Sequence, residues 1–154
     1  MRQIILVLLL LISVKGFSQQ YINKSKSDVK KMLDKYPGEM DGISTRITET
    51  DSSITLEKKG PGEISTDEVY IFDRSGKSSS EKVISNCGSC YEQLLKAVLD
   101  NKKYRWKLIN ANQYVSKFSA GMFIEIQATG TIYSFMIFKT NLDRKMYKFL
   151  MKNK

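Results

Sequence analysis

Three stretches of the chain carry apolar residues at the spacing of one face of an α-helix. Residues 25–36 repeat them at i, i+3, i+4 and i+7, which predicts a helix that Pro37-Gly38 ends. Residues 89–101 carry a wider stripe, and residues 141–154 predict a third helix capped by Asn141. The stripes comprise Val29, Met32, Leu33 and Tyr36; Tyr91, Leu94, Leu95, Val98 and Leu99; and Leu142, Met146, Phe149 and Leu150.

Between these helices, apolar and polar residues alternate with the two-residue period of β-strands. Four such segments precede the second helix and four follow it, at residues 43–49, 54–58, 68–74, 79–85, 104–109, 114–118, 122–128 and 131–138. Residues 131–138 are the most apolar and are expected in the middle of the sheet. Residues 79–85 are more polar, which predicts an outer strand.

The order of helix, four strands, helix, four strands, helix predicts an α+β fold. We expect a twisted antiparallel sheet of about seven or eight strands with helices packed on one face. The order also suggests a loose duplication, with halves at residues 21–86 and 87–140 followed by a C-terminal helix at residues 141–154. The aromatic strands EVYIFDR and TIYSFMIF would then occupy related places.

Residues 1–18 have the pattern of a secretory signal peptide. Arg2 supplies a positive start, residues 4–14 form an apolar run of signal-peptide length, and Gly16-Phe17-Ser18 suits cleavage after Ser18. The alternative is an uncleaved anchor. The sequence therefore predicts one exported domain, residues 19–154, in the periplasm or in the secreted fraction.

Charge and composition narrow the classes of function. The formal charge of +9 falls to +7 when Arg2 and Lys15 leave with the signal peptide. For an exported protein this charge indicates anionic lipid, polysaccharide or acidic proteins as partners rather than nucleic acid. The chain has no histidine, which removes the usual acid–base group near neutral pH and the commonest metal ligand. We therefore expect no cofactor and no metal site.

Three segments resemble small exported proteins of unknown function from Gram-negative bacteria. They are YINKSKSDVKKML, EVYIFDRSGK and YSFMIFKT. The resemblance implies an exported α+β domain and carries no activity with it. More remotely, the order of helices and strands is similar to secreted inhibitor proteins that grip an enzyme with a concave sheet, and this likeness concerns the fold alone.

Cys87-Gly-Ser-Cys90 is the motif most suggestive of chemistry. It precedes the second predicted helix, where Asn86 or Ser89 is expected as the cap and the helix dipole would favour a thiolate. A structural disulfide is the first interpretation, in keeping with an oxidising compartment. A redox-active pair, a metal site completed by other ligands, and two free thiols are the alternatives.

The motif is similar to the thioredoxin arrangement over these few residues only. Thioredoxin-like folds continue with alternating strands and helices and place a cis-proline strand beside the disulfide. Here the two prolines, Pro37 and Pro61, both lie upstream of the motif, and antiparallel hairpins are predicted after it.

Two further groups of residues are candidates for binding. Tyr and Trp side chains on a sheet face suit carbohydrate or protein partners. A basic helix with an apolar face suits an anionic membrane surface. The first group is Tyr104, Trp106, Tyr114 and Tyr133, and the second is Arg144, Lys145, Lys148 and Lys152.

The sequence contains no recognisable catalytic constellation. No carboxylate pair stands beside a nucleophile, and no phosphate-binding loop is complete. We therefore expect a non-catalytic binding or interaction module whose partner is a protein or another component of the envelope. The alternatives are a thiol–disulfide protein that uses Cys87 and Cys90, and an envelope-surface protein held by its C-terminal helix.

Overall fold

The computed structural model describes residues 21–36, 38–40 and 42–152. The predicted signal peptide lies outside the described residues. The elements in chain order are α1 (Lys26–Leu33), β1 (Glu39–Met40), β2 (Ile43–Glu49), β3 (Ser53–Lys59), β4 (Ser65–Phe72), β5 (Ser78–Ser85), α2 (Gly88–Leu99), β6 (Trp106–Asn110), β7 (Gln113–Ser116), β8 (Met122–Thr129), β9 (Ile132–Lys139) and α3 (Arg144–Lys152). The α+β class predicted from the sequence is confirmed.

All the strands belong to one open antiparallel sheet. Its order is β1-β2-β3-β4-β5-β9-β8-β7-β6, and β1 is a two-residue strand at one edge beside eight longer strands. Strands β2 to β5 and β6 to β9 each form a meander, and the two meanders meet where β5 pairs with β9. Each meander follows a helix, as the element order predicted.

The position predicted for residues 79–85 is wrong, because β5 lies at the centre of the sheet rather than at its outside. Both of its neighbours, β4 and β9, are bonded along its length. Its polar composition misleads because Ser78, Ser80, Glu81 and Ser85 are all buried. Ser80 lies on the face of Ile71 and Phe138, whereas Glu81 and Ser85 lie on the face of Tyr70, so both faces of this strand carry buried polar side chains and a central strand need not be apolar.

Helices α1 and α2 cover the same face of the sheet and form two apolar clusters beneath them. The cluster under α1 contains Val29 and Leu33, and the cluster under α2 contains Leu94 and Val98. Tyr21 belongs to the first cluster and Ile22 to the second, so the segment before α1 connects the two. The junction between the two meanders is therefore covered by this segment.

Helix α3 lies against the opposite face, which corrects the expectation that the helices pack on one side. The ammonium of Lys107 donates to the carbonyls of Leu150 and Met151, both at 2.9 Å. In the register of β6 and β7, Lys107 lies opposite Val115, whereas Leu108 lies opposite Tyr114 on the face covered by α2. Val115 is fully buried on the face of α3 and needs a cover there.

The helix starts follow the sequence in one case and depart from it in the other two. Helix α3 begins at Arg144 instead of directly after Asn141, and the Asp143 carboxylate accepts the Lys145 N–H at 2.8 Å. Ser25 caps α1, and its hydroxyl accepts the Asp28 N–H at 3.2 Å. Helix α2 is capped by Cys87 instead of Asn86 or Ser89. Asn86 is used elsewhere: its side chain accepts from the Ser65 N–H and donates to the Glu63 carbonyl, both at 2.8 Å. Among the described residues, no helix has the length and apolarity needed to cross a bilayer.

Candidate functional site

Cys87 and Cys90 form a disulfide at the N-terminus of α2. The two sulfurs are 2.07 Å apart, and both residues are half-buried. The Cys87 sulfur also accepts the Cys90 N–H at 3.2 Å, which satisfies one of the open donors of the first helical turn. The strands on either side of α2 pair only with antiparallel neighbours, so the parallel sheet of a thioredoxin fold is not formed by the described strands.

The four aromatic candidates pack against the cluster beneath α2. Tyr104 is buried, and its ring stacks on Trp106 with 5.4 Å between centroids. The indole N–H of Trp106 donates to the Val98 carbonyl at 3.1 Å, which fixes the ring against α2. Tyr114 and Tyr133 are partly buried against the same cluster. The structure thus brings all four to one core, and Tyr104 also reaches a cavity.

That cavity lies at the junction of the two meanders and has a volume of about 600 Å³. One wall comes from the segment before α1 and from α1 itself, and the other comes from the loops before β6 and after β7 together with the adjoining ends of β8 and β9. Its lining comprises Ile22, Asn23, Lys24, Met32, Lys103, Tyr104, Phe118, Ser119, Met122 and Lys139. The volume falls within the range of small-molecule sites in proteins.

The cavity is positively charged. Lys24, Lys103 and Lys139 are all exposed lining residues, and among the described residues no aspartate or glutamate lines the cavity with them. The guanidinium of Arg105 lies close by, 4.9 Å from the ring centroid of Phe118, which lines the cavity. The rest of the described lining is Asn23 and Ser119 together with five apolar or aromatic side chains, so the cavity can take an anion that carries an apolar part.

The hydroxyl of Ser116 holds one wall of the cavity together. It donates to the Tyr104 carbonyl at 2.8 Å and accepts the N–H groups of Phe118 and Ser119 at 3.3 and 2.9 Å. Ser116 is fully buried, so these bonds are shielded from water. One side chain therefore positions both the ring of Tyr104 and the turn that carries Phe118.

Gly121 allows the β8 and β9 part of the same wall to close. Its φ of +84° is in the left-handed region, and a Cβ at this position would lie 2.2 Å from the Thr140 carbonyl oxygen. The close approach brings the start of β8 against the end of β9, where Met122 lies opposite Lys139. Only glycine fits this approach without a backbone shift.

The opposite wall rests on hydrogen bonds of the segment before α1. The Asn23 N–H donates to the Ser78 carbonyl, and the Ser78 N–H donates to the Lys24 carbonyl, both at 2.8 Å. These bonds fix Lys24 to the start of β5. The lysine is thereby held at the mouth of the cavity although it lies outside every regular element.

A second polar arrangement is buried under α1, on the inner face of β3, β4 and β5. The Lys58 ammonium contacts Glu68 Oε1 at 2.6 Å, and the Tyr70 hydroxyl donates to Glu68 Oε2 at 2.7 Å. Lys58 also lies 5.0 Å from the ring centroid of Tyr36. Burial, followed by the charges of Glu68 and Glu81, raises the pKa of Tyr36 to about 12.

Glu81 completes this cluster and is its least satisfied member. Its side chain is fully buried, and neither carboxyl oxygen has a hydrogen-bond partner in the described part of the chain. Burial raises the pKa of Glu81 well above its ordinary value. The charge of Glu68 raises it further, and Lys58 only partly opposes the shift. The preferred form of this side chain is therefore the neutral acid.

The basic candidates on α3 are exposed, but its apolar stripe is not docked as a unit. Arg144, Lys145, Lys148 and Lys152 all face solvent. The Tyr147 hydroxyl anchors the helix through the carbonyls of Ser116 and Lys117, at 3.0 and 2.8 Å. Met146 and Phe149 remain 52% and 59% exposed, although the sequence pattern placed them on the packed face.

The sequence reasoning missed the cavity lysines and the buried cluster. Lys58 is in phase with Ile54 and Leu56 on β3, and Glu68 is in phase with Tyr70 on β4. This two-residue period was a signal that charged side chains point inward. The cavity had no comparable signal, because its lysines are far apart in the chain. Within the described ranges, no three histidine, cysteine, aspartate or glutamate side chains are grouped to hold a metal ion.

Comparisons with protein-family models, with curated proteins and with solved structures find no match for this chain.

Proposed function

We propose that this protein is a non-catalytic binding protein that takes a small anionic molecule into the cavity between its two meanders. The observation that carries the proposal is that Lys24, Lys103 and Lys139 line one cavity, to which the described part of the chain contributes no aspartate or glutamate. Lys24 also interacts with the Asp28 carboxylate, which is not among the lining residues. Three lysines around one cavity still repel one another, and an anion would relieve that repulsion. The cavity supports binding without any group arranged for bond making.

The proposal also includes where the protein acts and how its two halves arose. The protein is exported after removal of residues 1–18, and it meets its ligand in the periplasm or in the secreted fraction. Its two helix-plus-four-strand halves derive from a duplication, and the binding cavity lies at their junction. In the observed order β4 is the third strand of its meander and β9 the fourth, so EVYIFDR and TIYSFMIF do not occupy equivalent places.

Trp106 offers a direct test of binding. It is the single tryptophan of the chain, and it stacks on Tyr104, which lines the cavity. We expect octanoate to change the Trp106 emission of the wild type in a saturable way. Lys103→Glu/Lys139→Glu should weaken binding about tenfold or more, because two attractions become repulsions.

The control reverses the same number of charges away from the cavity. Lys31→Glu/Lys77→Glu changes two exposed lysines that do not line it, and this variant should bind octanoate within about twofold of the wild type. Equal weakening in both variants would mean that net charge alone attracts the ligand. No saturable change in the wild type would contradict the proposed function.

A second candidate function has its own observation, which is the exposed face of α3. Met146 and Phe149 project from a helix that also carries Arg144, Lys145, Lys148 and Lys152 into solvent. Exposed apolar side chains between lysines suit the surface of an anionic bilayer. We propose contact with such a surface as a second function, which is compatible with ligand binding on the other face of the sheet.

A further inference from the structure

We infer that the ligand is a single-chain amphiphile, with its anionic head among Lys24, Lys103 and Lys139 and its alkyl chain running past Met32 into a second recess. This inference rests on the proposed function and names its ligand class. The structure contains two adjoining spaces of different chemistry, and one side chain lies between them.

The two spaces share a wall. The cavity of about 600 Å³ and a recess of about 410 Å³ are both lined by Met32 of α1. Ile22 lines the first and its neighbour Tyr21 lines the second. Consecutive residues of the turn before α1 thus border the two spaces, and Met32 lines both, so the recess adjoins the cavity.

The recess is suited to an apolar chain. Its lining consists of Tyr21, Met32, Lys35 and Tyr36. The Tyr21 ring packs on the Tyr70 ring, with 5.0 Å between their centroids. The Lys58 ammonium lies 5.0 Å from the centroid of the Tyr36 ring. Each tyrosine that lines the recess is therefore positioned by a contact with a buried residue. Lys35 is exposed and contributes its methylene stem while its ammonium stays in water. None of the described residues that line the recess is acidic.

Met32 is the side chain that an alkyl chain must pass. It is half-buried, and it packs against the apolar cluster under α1. Methionine is unbranched and changes rotamer at low cost, so a chain can displace its thioether without moving the helix. A passage beside one side chain admits one alkyl chain, which favours a fatty acid or a lysophospholipid over a lipid with two chains.

Chain length is the variable that tests this inference. Alkanoates from hexanoate to tetradecanoate, kept below their micelle concentrations, should bind wild-type protein more tightly by about two- to fourfold for each methylene buried. The gain should stop when the recess is full. A dissociation constant that is independent of chain length would overturn the inference while leaving the proposed function intact. Failure of every alkanoate to bind would contradict both.

Two substitutions at Met32 test the passage itself. Met32→Trp fills it, so the ratio of the dodecanoate affinity to the hexanoate affinity, measured in the same variant, should fall about tenfold or more from its wild-type value. Met32→Ala opens it and should keep the dependence on chain length. The same ratio in Met32→Trp as in the wild type would overturn the inference.

A measurement on the unmodified protein keeps the test independent of how the variants fold. In NMR spectra, dodecanoate should shift the signals of both Met122 in the cavity and Tyr36 in the recess, whereas hexanoate should shift Met122 alone. Identical shift patterns for the two ligands would contradict the chain path. Parallel titrations with dodecanoate and with lysophosphatidate of the same acyl length then decide whether the head is a carboxylate or a phosphate, and tight binding of either one supports the inference.

Discussion

Glu81 is a carboxyl group enclosed by the protein with no hydrogen-bond partner among the described residues. Burying such a group costs about 1–3 kcal/mol, and more when it is charged. Lys58, Glu68, Tyr70 and Tyr36 surround the same space, and Lys58 is already bonded to Glu68. The cluster is therefore most stable with Glu81 in its neutral form.

The raised pKa of Glu81 predicts a dependence of stability on pH. The folded chain holds the Glu81 proton more tightly than the unfolded chain, where the side chain titrates near its ordinary value of 4.5. This stabilisation is complete below that value and is lost as the pH rises toward the folded pKa. Glu81→Gln should flatten the dependence, so at about pH 8 its free energy of unfolding should exceed that of the wild type, because a neutral amide costs less to bury than a carboxylate.

Chemical denaturation at pH 5 and at pH 8 measures this difference. Glu92→Gln is the control, because Glu92 is exposed on α2 and lies outside the cluster. The control should keep the pH dependence of the wild type. The same slope with pH in Glu81→Gln and in the wild type would show that Glu81 titrates normally in the folded protein.

At the scale of elements, α2 begins at a disulfide that closes a very short loop. Cys87 and Cys90 are separated by three positions, and loop closure on this scale is worth ~2 kcal/mol. The surrounding bonds from Asn86 to residues 63 and 65 hold the helix entrance independently of the sulfurs. The disulfide should therefore help to fix the start of α2 without being required for the fold.

We expect Cys87→Ser/Cys90→Ser to fold, with a free energy of unfolding lower by about 2 kcal/mol or less. Its far-ultraviolet circular dichroism and its affinity for octanoate should match those of the wild type. The reduction potential of the wild type distinguishes a structural bond, expected below about −300 mV, from an exchanging pair at about −270 to −120 mV. A value in the higher range would favour the thiol–disulfide alternative.

Helix α3 makes a separate prediction about membranes. Wild-type protein should sediment with vesicles that contain anionic lipid at low salt and release at high salt, since the attraction is electrostatic. Met146→Ser/Phe149→Ser should lose binding about tenfold while keeping the Tyr147 anchor.

A matched variant uses apolar residues away from that helix. Leu108→Ser/Ile132→Ser replaces two other exposed apolar side chains and should bind the vesicles as the wild type does. Binding to neutral and to anionic vesicles alike would show that charge plays no part, and the second candidate function would fail.

The sequence predicted elements better than it predicted their surroundings. Apolar residues repeat every 3.6 positions in a helix and every two positions in a strand. These repeats located the helices and the eight longer strands because they depend on local burial. The repeats did not reveal the central position of β5. Its serines and Glu81 are residue types typical of a surface, but they are buried in a strand that lies between β4 and β9. The repeats failed for α3 because Tyr147, rather than Met146 and Phe149, anchors the helix to the sheet.

At the scale of the whole molecule, the candidate site arises from residues that are distant in the chain. Lys24, Lys103 and Lys139 meet because the two meanders join at β5 and β9 and because the segment before α1 crosses that junction. No local sequence pattern predicts that three such distant lysines line one cavity. The candidates that the sequence did offer, Trp106, Tyr114 and Tyr133, instead support the core behind the cavity wall.

The most direct test of the account follows the methyl signals of methionines labelled with carbon-13 during a titration with octanoate. Met32 and Met122 line the cavity, whereas Met146 is exposed on α3 at the opposite face of the sheet and reports any unspecific contact. The account predicts that Met32 and Met122 shift with one common dissociation constant while Met146 stays unchanged. Unchanged signals at Met32 and Met122, or equal shifts at all three methyls, would contradict it.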